Sequence, residues 1–406
     1  MLHTGTLLTY CLILAAAGNA HAQVKSADWP HWRGPDRTGV SPETGWESEG
    51  AEAPLWVAEV GRGYSASSIA DGRLFTRGFF EREDKRGDDI TICLDAATGE
   101  ELWSHASPAE LGDEMHGGGT LTTPVVDGDT VYVLSRTGPL WAFAAADGER
   151  RWETDLTLEL EIETGIFGLS SSPLVLGDAV IVNVGKTAAY DKRTGKLRWA
   201  TRDYGYSYGT PAPFEWQGEK LLAVFNAAGL TILEEATGAE IAVHGWTSEF
   251  NVNCSTPIVI GNRIFISTGY NEKGCALLEL TDEGLALVWK SRAMNSLMNG
   301  CVLVDGLLYG FDKTKLKCLD LDGEQLWERR GLGRGAVIGS DGRLIVLSEE
   351  GELLVGPANS EGFEATYEAK VLNEGPCWTT PILAGGRIYC RSAPGQLVCR
   401  DHRAQD

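Results

Sequence analysis

The chain has 406 residues, of which 50 are glycine and 13 are tryptophan but only 4 are methionine. The glycine content disfavours a helical bundle, because a glycine inside a helix costs about 1 kcal/mol relative to alanine, whereas tight turns between strands use its positive φ. The net charge of −22 argues against nucleic acid or an anionic membrane surface as a ligand. An all-β protein with an acidic surface is therefore expected.

The first 22 residues have the pattern of a secretory signal peptide. An apolar run at Leu7–Ala17 is followed by the small-x-small tripeptide Ala20-His21-Ala22, which predicts cleavage after Ala22. The run is shorter than the ~20 residues that a membrane span needs, and no later segment is long or apolar enough. Cys11 lies inside the run, which disfavours a lipid anchor. We predict an exported protein of the periplasm or cell envelope, or a secreted one, with no transmembrane segment.

A strand, a glycine-bearing turn and a second strand recur eight times along the mature chain. Typical copies run from Thr123 to Val133 and from Thr256 to Ile266. Pro257 and Pro381 stand three units apart, or about 41 residues per unit, which is the period of a four-stranded propeller blade. The repeat predicts an eight-bladed β-propeller of four-stranded antiparallel blades.

A second motif follows the hairpins: a turn containing Asp and Gly, and then a Trp four residues after the Gly. The copy from Asp95 to Trp103 has Gly99 in its turn. The Asp side chain caps the turn, the Gly takes a positive φ, and the Trp offers a large apolar face to the neighbouring blade. The tryptophans that we assign to blade packing are Trp56, Trp103, Trp152, Trp199, Trp289 and Trp327.

The two ends of the repeat predict how the ring closes. Residues 54–60 have the pattern of an outer strand with no hairpin before it, and the last unit, 379–401, supplies only three strands. The N-terminal strand is therefore expected to complete the last blade, which removes exposed sheet edges. The predicted organisation is a signal peptide at 1–22, an irregular lead-in at 23–53 and a single propeller at 54–402, monomeric in solution.

The Asp-x-x-Thr-Gly-x-x-x-Trp units resemble the tryptophan-docking repeats of the pyrroloquinoline-quinone (PQQ)-like β-propeller superfamily, and they cover nearly the whole mature chain. That superfamily includes the quinoprotein alcohol dehydrogenases and a non-enzymatic, BamB-like branch of outer-membrane assembly propellers. The mature length and the lack of extra domains make the chain more similar to the BamB-like branch. The repeat is specific for the fold and weak for function, because it packs the blades.

In such a ring, the connections between the outer strand of one blade and the inner strand of the next meet at one face, where a ligand is expected. Their aromatic, Asn, Arg and Gly residues suit a planar, anionic, quinone-like ligand or a peptide. Tight connections around a narrow channel explain the same composition without a ligand. The candidate binding residues are Arg62, Tyr64, His116, Phe167, Tyr204, Tyr206, Tyr208, Asn251, Asn253, Asn295, Asn299, Arg330, Arg334, Glu374 and Trp378.

The resemblance to the quinoprotein dehydrogenases would imply bound PQQ, a calcium ion held by carboxylate and amide oxygens, and a catalytic Asp. The face connections as delimited here contain no Asp, and Glu374 is their only carboxylate, whereas calcium takes several oxygen ligands. His116 is the histidine to test as an acid–base group or metal contact.

We therefore assign no catalytic residue and expect no metal and no cofactor. The favoured function is a non-catalytic scaffold for an envelope protein or peptide. The alternative is a PQQ- and calcium-dependent oxidoreductase of the alcohol or sugar dehydrogenase type.

The mature chain has eight cysteines and no CxxC pair. A hairpin around the turn at 392–395 is expected to place Cys390 opposite Cys399 on its two strands, which predicts a cross-strand disulfide. The alternative is that all eight cysteines are small buried apolar side chains.

Overall fold

In the computed structural model, which describes residues 28–206 and 208–404, 33 strands form eight sheets arranged as the blades of a ring. The eight-bladed, all-β propeller predicted from the repeats is confirmed. The predicted signal peptide lies outside the described residues. No helix within the described ranges is both long enough and apolar enough to cross a membrane.

Each blade is an antiparallel meander that begins at the central channel. The strands of the first four blades, β3 to β18, are Ser68–Ala70, Arg73–Glu83, Arg86–Asp95 and Glu101–Glu110 in blade 1, Val125–Asp127, Thr130–Leu134, Pro139–Ala144 and Arg150–Asp155 in blade 2, Leu174–Leu176, Ala179–Val184, Lys186–Asp191 and Leu197–Ala200 in blade 3, and Ala212–Trp216, Glu219–Asn226, Gly229–Glu234 and Glu240–Gly245 in blade 4.

Blades 5 to 7 and three strands of blade 8 follow in the same manner. These strands, β19 to β33, are Ile258–Ile260, Arg263–Thr268, Gly274–Thr281 and Gly284–Ser291 in blade 5, Val302–Val304, Leu307–Asp312, Lys315–Leu319 and Gln325–Arg329 in blade 6, Ala336–Ser340, Arg343–Leu347, Glu352–Pro357 and Tyr367–Lys370 in blade 7, and Ile382–Ala384, Arg387–Arg391 and Gln396–Asp401 in blade 8. The remaining elements are β1 (Val40–Ser41), β2 (Trp56–Glu59), a four-residue helix α1 (Leu156–Glu159) and 3-10 turns at Glu114–His116, Glu249–Asn251 and Tyr270–Glu272.

The Asp-Gly turn of one blade rests on the Trp of the blade before it. Trp103 donates its indole N–H to the Ala145 carbonyl at 3.1 Å. A β-carbon at Gly148, whose φ is +74°, would lie 2.7 Å from the Trp103 ring. The same indole bond joins Trp56 to Ala96, Trp152 to Lys192, Trp289 to Leu321 and Trp327 to Asn359. The two halves of the sequence motif therefore belong to different blade interfaces, and buried apolar side chains fill the space between neighbouring blades.

The ring closes as the sequence predicts, because β2 is the outer strand of blade 8. It pairs with β33 in antiparallel register, with Trp56 opposite Cys399 and Glu59 opposite Gln396. This pairing covers the edge that the last three strands would otherwise expose.

The predicted register of the last hairpin is wrong by one residue. Cys390 lies opposite Val398, and Tyr389 lies opposite Cys399. The Ser392 amide donates to the Gln396 carbonyl at 2.9 Å, so the loop has an odd number of residues rather than the even number that the prediction assumed. A slip of one residue puts Cys390 and Cys399 on opposite faces of the sheet. All eight cysteines of the described ranges are free, and seven of them are buried.

The lead-in crosses the central channel. Its segment from Trp29 to Gly39 bonds to the inner walls of blades 1, 2, 3, 6 and 7, so this short stretch must span the channel. The bonded pairs are Trp29 with Ile69 (2.8 and 2.9 Å), Pro30 with Val126 (2.8 Å), Arg37 with Val175 (2.8 Å), Arg33 with Cys301 (2.8 Å) and Gly39 with Gly339 (3.0 Å). In this region, predicted as irregular, β1 pairs in parallel with β27 at Gly339 and Ser340.

Candidate binding site at the channel mouth

The connections between blades meet at one end of the ring, which we call the connection face. A cavity of about 170 Å³ lies there at the mouth of the central channel. Connections of several blades line it, together with two hairpin turns that reach the same face and Trp32 of the lead-in. Trp32 donates to Thr256 Oγ1 at 3.2 Å and forms the floor of the cavity on the side of the lead-in.

Aromatic rings make up much of the cavity wall. The Tyr64 and Trp378 rings are stacked, with centroids 5.5 Å apart and planes 17° apart. Phe167 makes edge contacts with His116 at 5.5 Å and with Tyr208 at 5.9 Å. The six aromatic side chains that line the cavity are Trp32, Tyr64, Phe167, Tyr208, Tyr270 and Trp378. They come from different blades and the lead-in, so only the closed ring assembles this wall.

A carboxylate and an imidazole lie together in the wall. His116 Nδ1 is 2.5 Å from Asp113 Oδ2, and Asp113 Oδ1 accepts the Met115 amide N–H at 3.0 Å. Asp113 is the single Asp or Glu that lines the cavity among the described residues. Asp113 was not among the predicted residues, because the predicted connection began at Met115. The Asp-x-x-His spacing within one short connection is the signal that would have found it.

The one Lys or Arg side chain that lines the cavity within the described ranges is Arg136, and its charge is already paired. Its guanidinium donates to both oxygens of Asp89, at 3.1 and 3.2 Å, and to the carbonyls of Leu111 (2.9 Å) and Glu110. Most of its N–H groups are therefore used inside the protein, which leaves little for an anionic ligand.

The cysteine thiol and the tyrosine hydroxyls of the cavity are poor nucleophiles. Burial raises the pKa of the Cys254 thiol to about 12 and that of the Tyr64 hydroxyl to about 12. Burial also raises the pKa of Tyr208 and of Tyr270. These groups stay protonated and neutral near pH 7. The geometry is suited to binding a ligand against aromatic walls.

Six of the fifteen predicted binding residues line the cavity: Tyr64, His116, Phe167, Tyr208, Asn299 and Trp378. Six others are exposed outside it: Arg62, Tyr206, Asn251, Arg330, Arg334 and Glu374. The remaining three, Tyr204, Asn253 and Asn295, are buried and hydrogen-bonded within the fold. Five residues of the cavity wall were not predicted from the sequence: Trp32, Asp113, Arg136, Cys254 and Tyr270.

A calcium-bound PQQ does not fit these residues. Among the described residues, Asp113 is the lone carboxylate of the cavity wall, and one of its oxygens is held by His116. Asn253 and Asn295 are buried and do not line the cavity, so their amide oxygens are not available to a group bound there. No group of three or more His, Cys, Asp or Glu side chains within the described ranges is placed to hold a metal ion.

The fold and the site define a PQQ-like β-propeller whose channel is crossed by its own N-terminal segment and carries an aromatic cavity at its mouth. A family model described as "Outer membrane protein assembly factor BamB" matches residues 39–207 and 87–322. The chain belongs to this family.

Known relatives are distant in sequence. The outer membrane protein assembly factor BamB of Moranella endobia is 23% identical over 319 residues, which is 73% of this chain and 79% of that protein. The protein of the same name from Burkholderia pseudomallei is 29% identical over 192 residues, or 45% and 43% of the two chains.

Solved structures show the same fold. BamB from Moraxella catarrhalis superposes with a TM-score of 0.61 at 17% identity, over 87% of this chain and 98% of that one. Quinohemoprotein alcohol dehydrogenase from Comamonas testosteroni superposes with a TM-score of 0.67 at 14% identity, over 93% and 81%. A BamB protein and an alcohol dehydrogenase thus share this architecture, so the fold by itself does not decide the function.

Proposed function

We propose that this protein is a non-catalytic scaffold of the cell envelope that binds a partner protein in outer-membrane protein assembly. The observation that carries the proposal is a set of exposed apolar side chains on the connection face. Met115, Ile166 and Phe250 are 80%, 72% and 71% exposed. Tyr206, which lies between Ile166 and Phe250 in the sequence, is exposed as well. We call these four residues the apolar rim.

The apolar rim occupies one half of the connection face. Its members lie on the four successive connections from blade 1 to blade 5, one on each. The other four connections expose no large apolar side chain within the described ranges, whereas charged side chains such as Glu163, Arg202 and Glu249 are exposed next to the rim residues. The charged candidates Arg62, Arg330, Arg334 and Glu374 are exposed on the other connections. An apolar patch bordered by polar residues is typical of a protein-binding surface.

The backbone at Phe250 supports a role for this residue. Its φ is +58° and that of Asn251 is +57°. A bulky side chain is strained in the left-handed region, and such strain occurs mainly where function requires it. Here the strained backbone holds an aromatic ring out in solvent. The BamB family assignment supports the same function, since its relatives carry the name of an assembly factor.

Photo-crosslinking tests this function. Benzoylphenylalanine is introduced at Ile166 in the full chain, expressed in an envelope that contains its assembly machinery. We expect a defined adduct with an outer-membrane assembly protein, identified by mass spectrometry. The double variant Met115→Asp/Phe250→Asp should lower the adduct yield by about tenfold, because charge on the rim must be desolvated on binding.

The matched control position is Leu287, an apolar residue that is 48% exposed on the outer strand of blade 5. Benzoylphenylalanine at Leu287 should give no such adduct, and Leu287→Asp should not change the yield from Ile166. Equal adducts from both positions would contradict the proposal.

A further inference from the structure

We propose that the cavity at the channel mouth binds a cationic side chain, the ammonium of a lysine or the guanidinium of an arginine, inserted by the docked partner. This inference rests on the proposed function, because it treats the apolar rim and the cavity as one surface. Phe167 lines the cavity next to the exposed Ile166, so the rim borders the cavity directly.

The aromatic wall gives the first reason for a cation. Cations bind to the faces of Trp, Tyr and Phe rings, and several rings around one cavity form a site for ammonium groups. The connection face already shows this interaction within the protein, where the Arg334 guanidinium lies 5.5 Å from the centroid of the Trp378 ring. Phe167 and Tyr208 line the same cavity from other connections, and Tyr270 lines it from a hairpin turn.

The balance of charge gives the second reason. Asp113 places a carboxylate in the wall, whereas the positive charge of Arg136 is paired with Asp89. Arg62 and Arg334 are exposed outside the cavity, where one donates to the Gly117 carbonyl and the other covers Trp378. The net charge of −22 favours the approach of a positive group over that of a negative one.

An unpartnered hydroxyl gives the third reason. Thr379 is buried and lines the cavity, and its Oγ1 has no hydrogen-bond partner. A buried polar atom of this kind usually has a partner in the functional complex. An inserted ammonium or guanidinium supplies the N–H donor that Thr379 Oγ1 accepts. At about 170 Å³ the cavity is of the size of a cavity of about 150 Å³ that admits benzene, which is room for the end of one long side chain.

Two small probes that differ only in charge test the inference on the full chain. N-acetyl-arginine amide carries the cation, and N-acetyl-citrulline amide is its neutral isostere. We expect calorimetry to show binding of the arginine probe and binding of the citrulline probe that is weaker by about tenfold. Equal affinity for the two probes, or tighter binding of N-acetyl-glutamate amide, would overturn the inference.

Variants then locate the site. Asp113→Asn should weaken the arginine probe by about tenfold and leave the citrulline probe unchanged. Glu374→Gln, which removes an exposed carboxylate of the same face outside the cavity, should change neither. Circular dichroism confirms folding, and Phe167→Leu, which keeps the cavity apolar but removes a ring, replaces Asp113→Asn if that variant unfolds. An arginine affinity that is unchanged in the folded variants would place the cation elsewhere and overturn the inference.

The two proposals fail separately. If the rim crosslinks to its partner but the arginine probe does not bind, the cation site is wrong and the scaffold stands. If the probe binds but the rim gives no adduct, the scaffold is wrong and the cavity still holds a cation.

Discussion

Replacing Trp56 with alanine is expected to lower the free energy of unfolding by about 3–5 kcal/mol. Trp56 is 8% exposed and lies on β2, the strand that closes the ring. Its indole N–H donates to the Ala96 carbonyl of blade 1 at 3.2 Å, and its ring packs against Tyr389 of blade 8. The substitution removes a buried aromatic side chain and one hydrogen bond where the two ends of the chain meet. Denaturant unfolding followed by fluorescence and circular dichroism measures the loss.

Val57 provides the matched control for this prediction. It is the next residue of the same strand, and its side chain is 49% exposed. Val57→Ala keeps the pairing of β2 with β33 and should change the free energy of unfolding by less than about 0.5 kcal/mol. Similar losses in the two variants would mean that strand pairing alone closes the ring and that Trp56 contributes little.

Acidification is expected to destabilise the attachment of the lead-in. Burial lowers the pKa of His402 to about 4 and that of His31 to about 4. His31 belongs to the lead-in, and His402 Nδ1 is 3.0 Å from the Glu47 carbonyl of the same segment. As the pH falls below about 6.5 the unfolded chain takes up these protons, whereas the folded protein takes them up only near pH 4. Each histidine should therefore cost about 3 kcal/mol of stability between these pH values.

The measurement is the free energy of unfolding between pH 7 and pH 4, compared between the wild-type protein and His402→Asn. The difference between the two proteins isolates one histidine from the carboxylates that titrate over the same range. We expect the variant to lose less stability than the wild type by about 3 kcal/mol, with no change in pH dependence above pH 7. An equal loss of unfolding free energy in the two proteins between pH 7 and pH 4 would refute the assignment of a lowered pKa to His402.

The lead-in connects these results to the site. It bonds to the inner walls of several blades and carries Trp32, the floor of the cavity. Detachment of the lead-in would therefore take Trp32 away from the cavity that the apolar rim borders.

The architecture of this protein can be predicted from its amino-acid sequence. Blade number, ring closure and the outer-strand tryptophans follow from local signals, namely the turn glycines, the alternating strands and the constant spacing between units. These signals are short in range and repeated eight times, so an error in one unit does not change the fold.

The residues that line the cavity and the register of the last hairpin could not be predicted from the sequence, because they depend on tertiary structure. Asp113, Trp32 and Tyr270 come from a connection, the lead-in and a hairpin turn that are distant in sequence, and only the closed ring brings them together. The separation of Cys390 from Cys399 depends on one residue of loop length, which sequence spacing does not fix. Side-chain direction alternates at every residue of a strand, so this single step decided which face each thiol occupies.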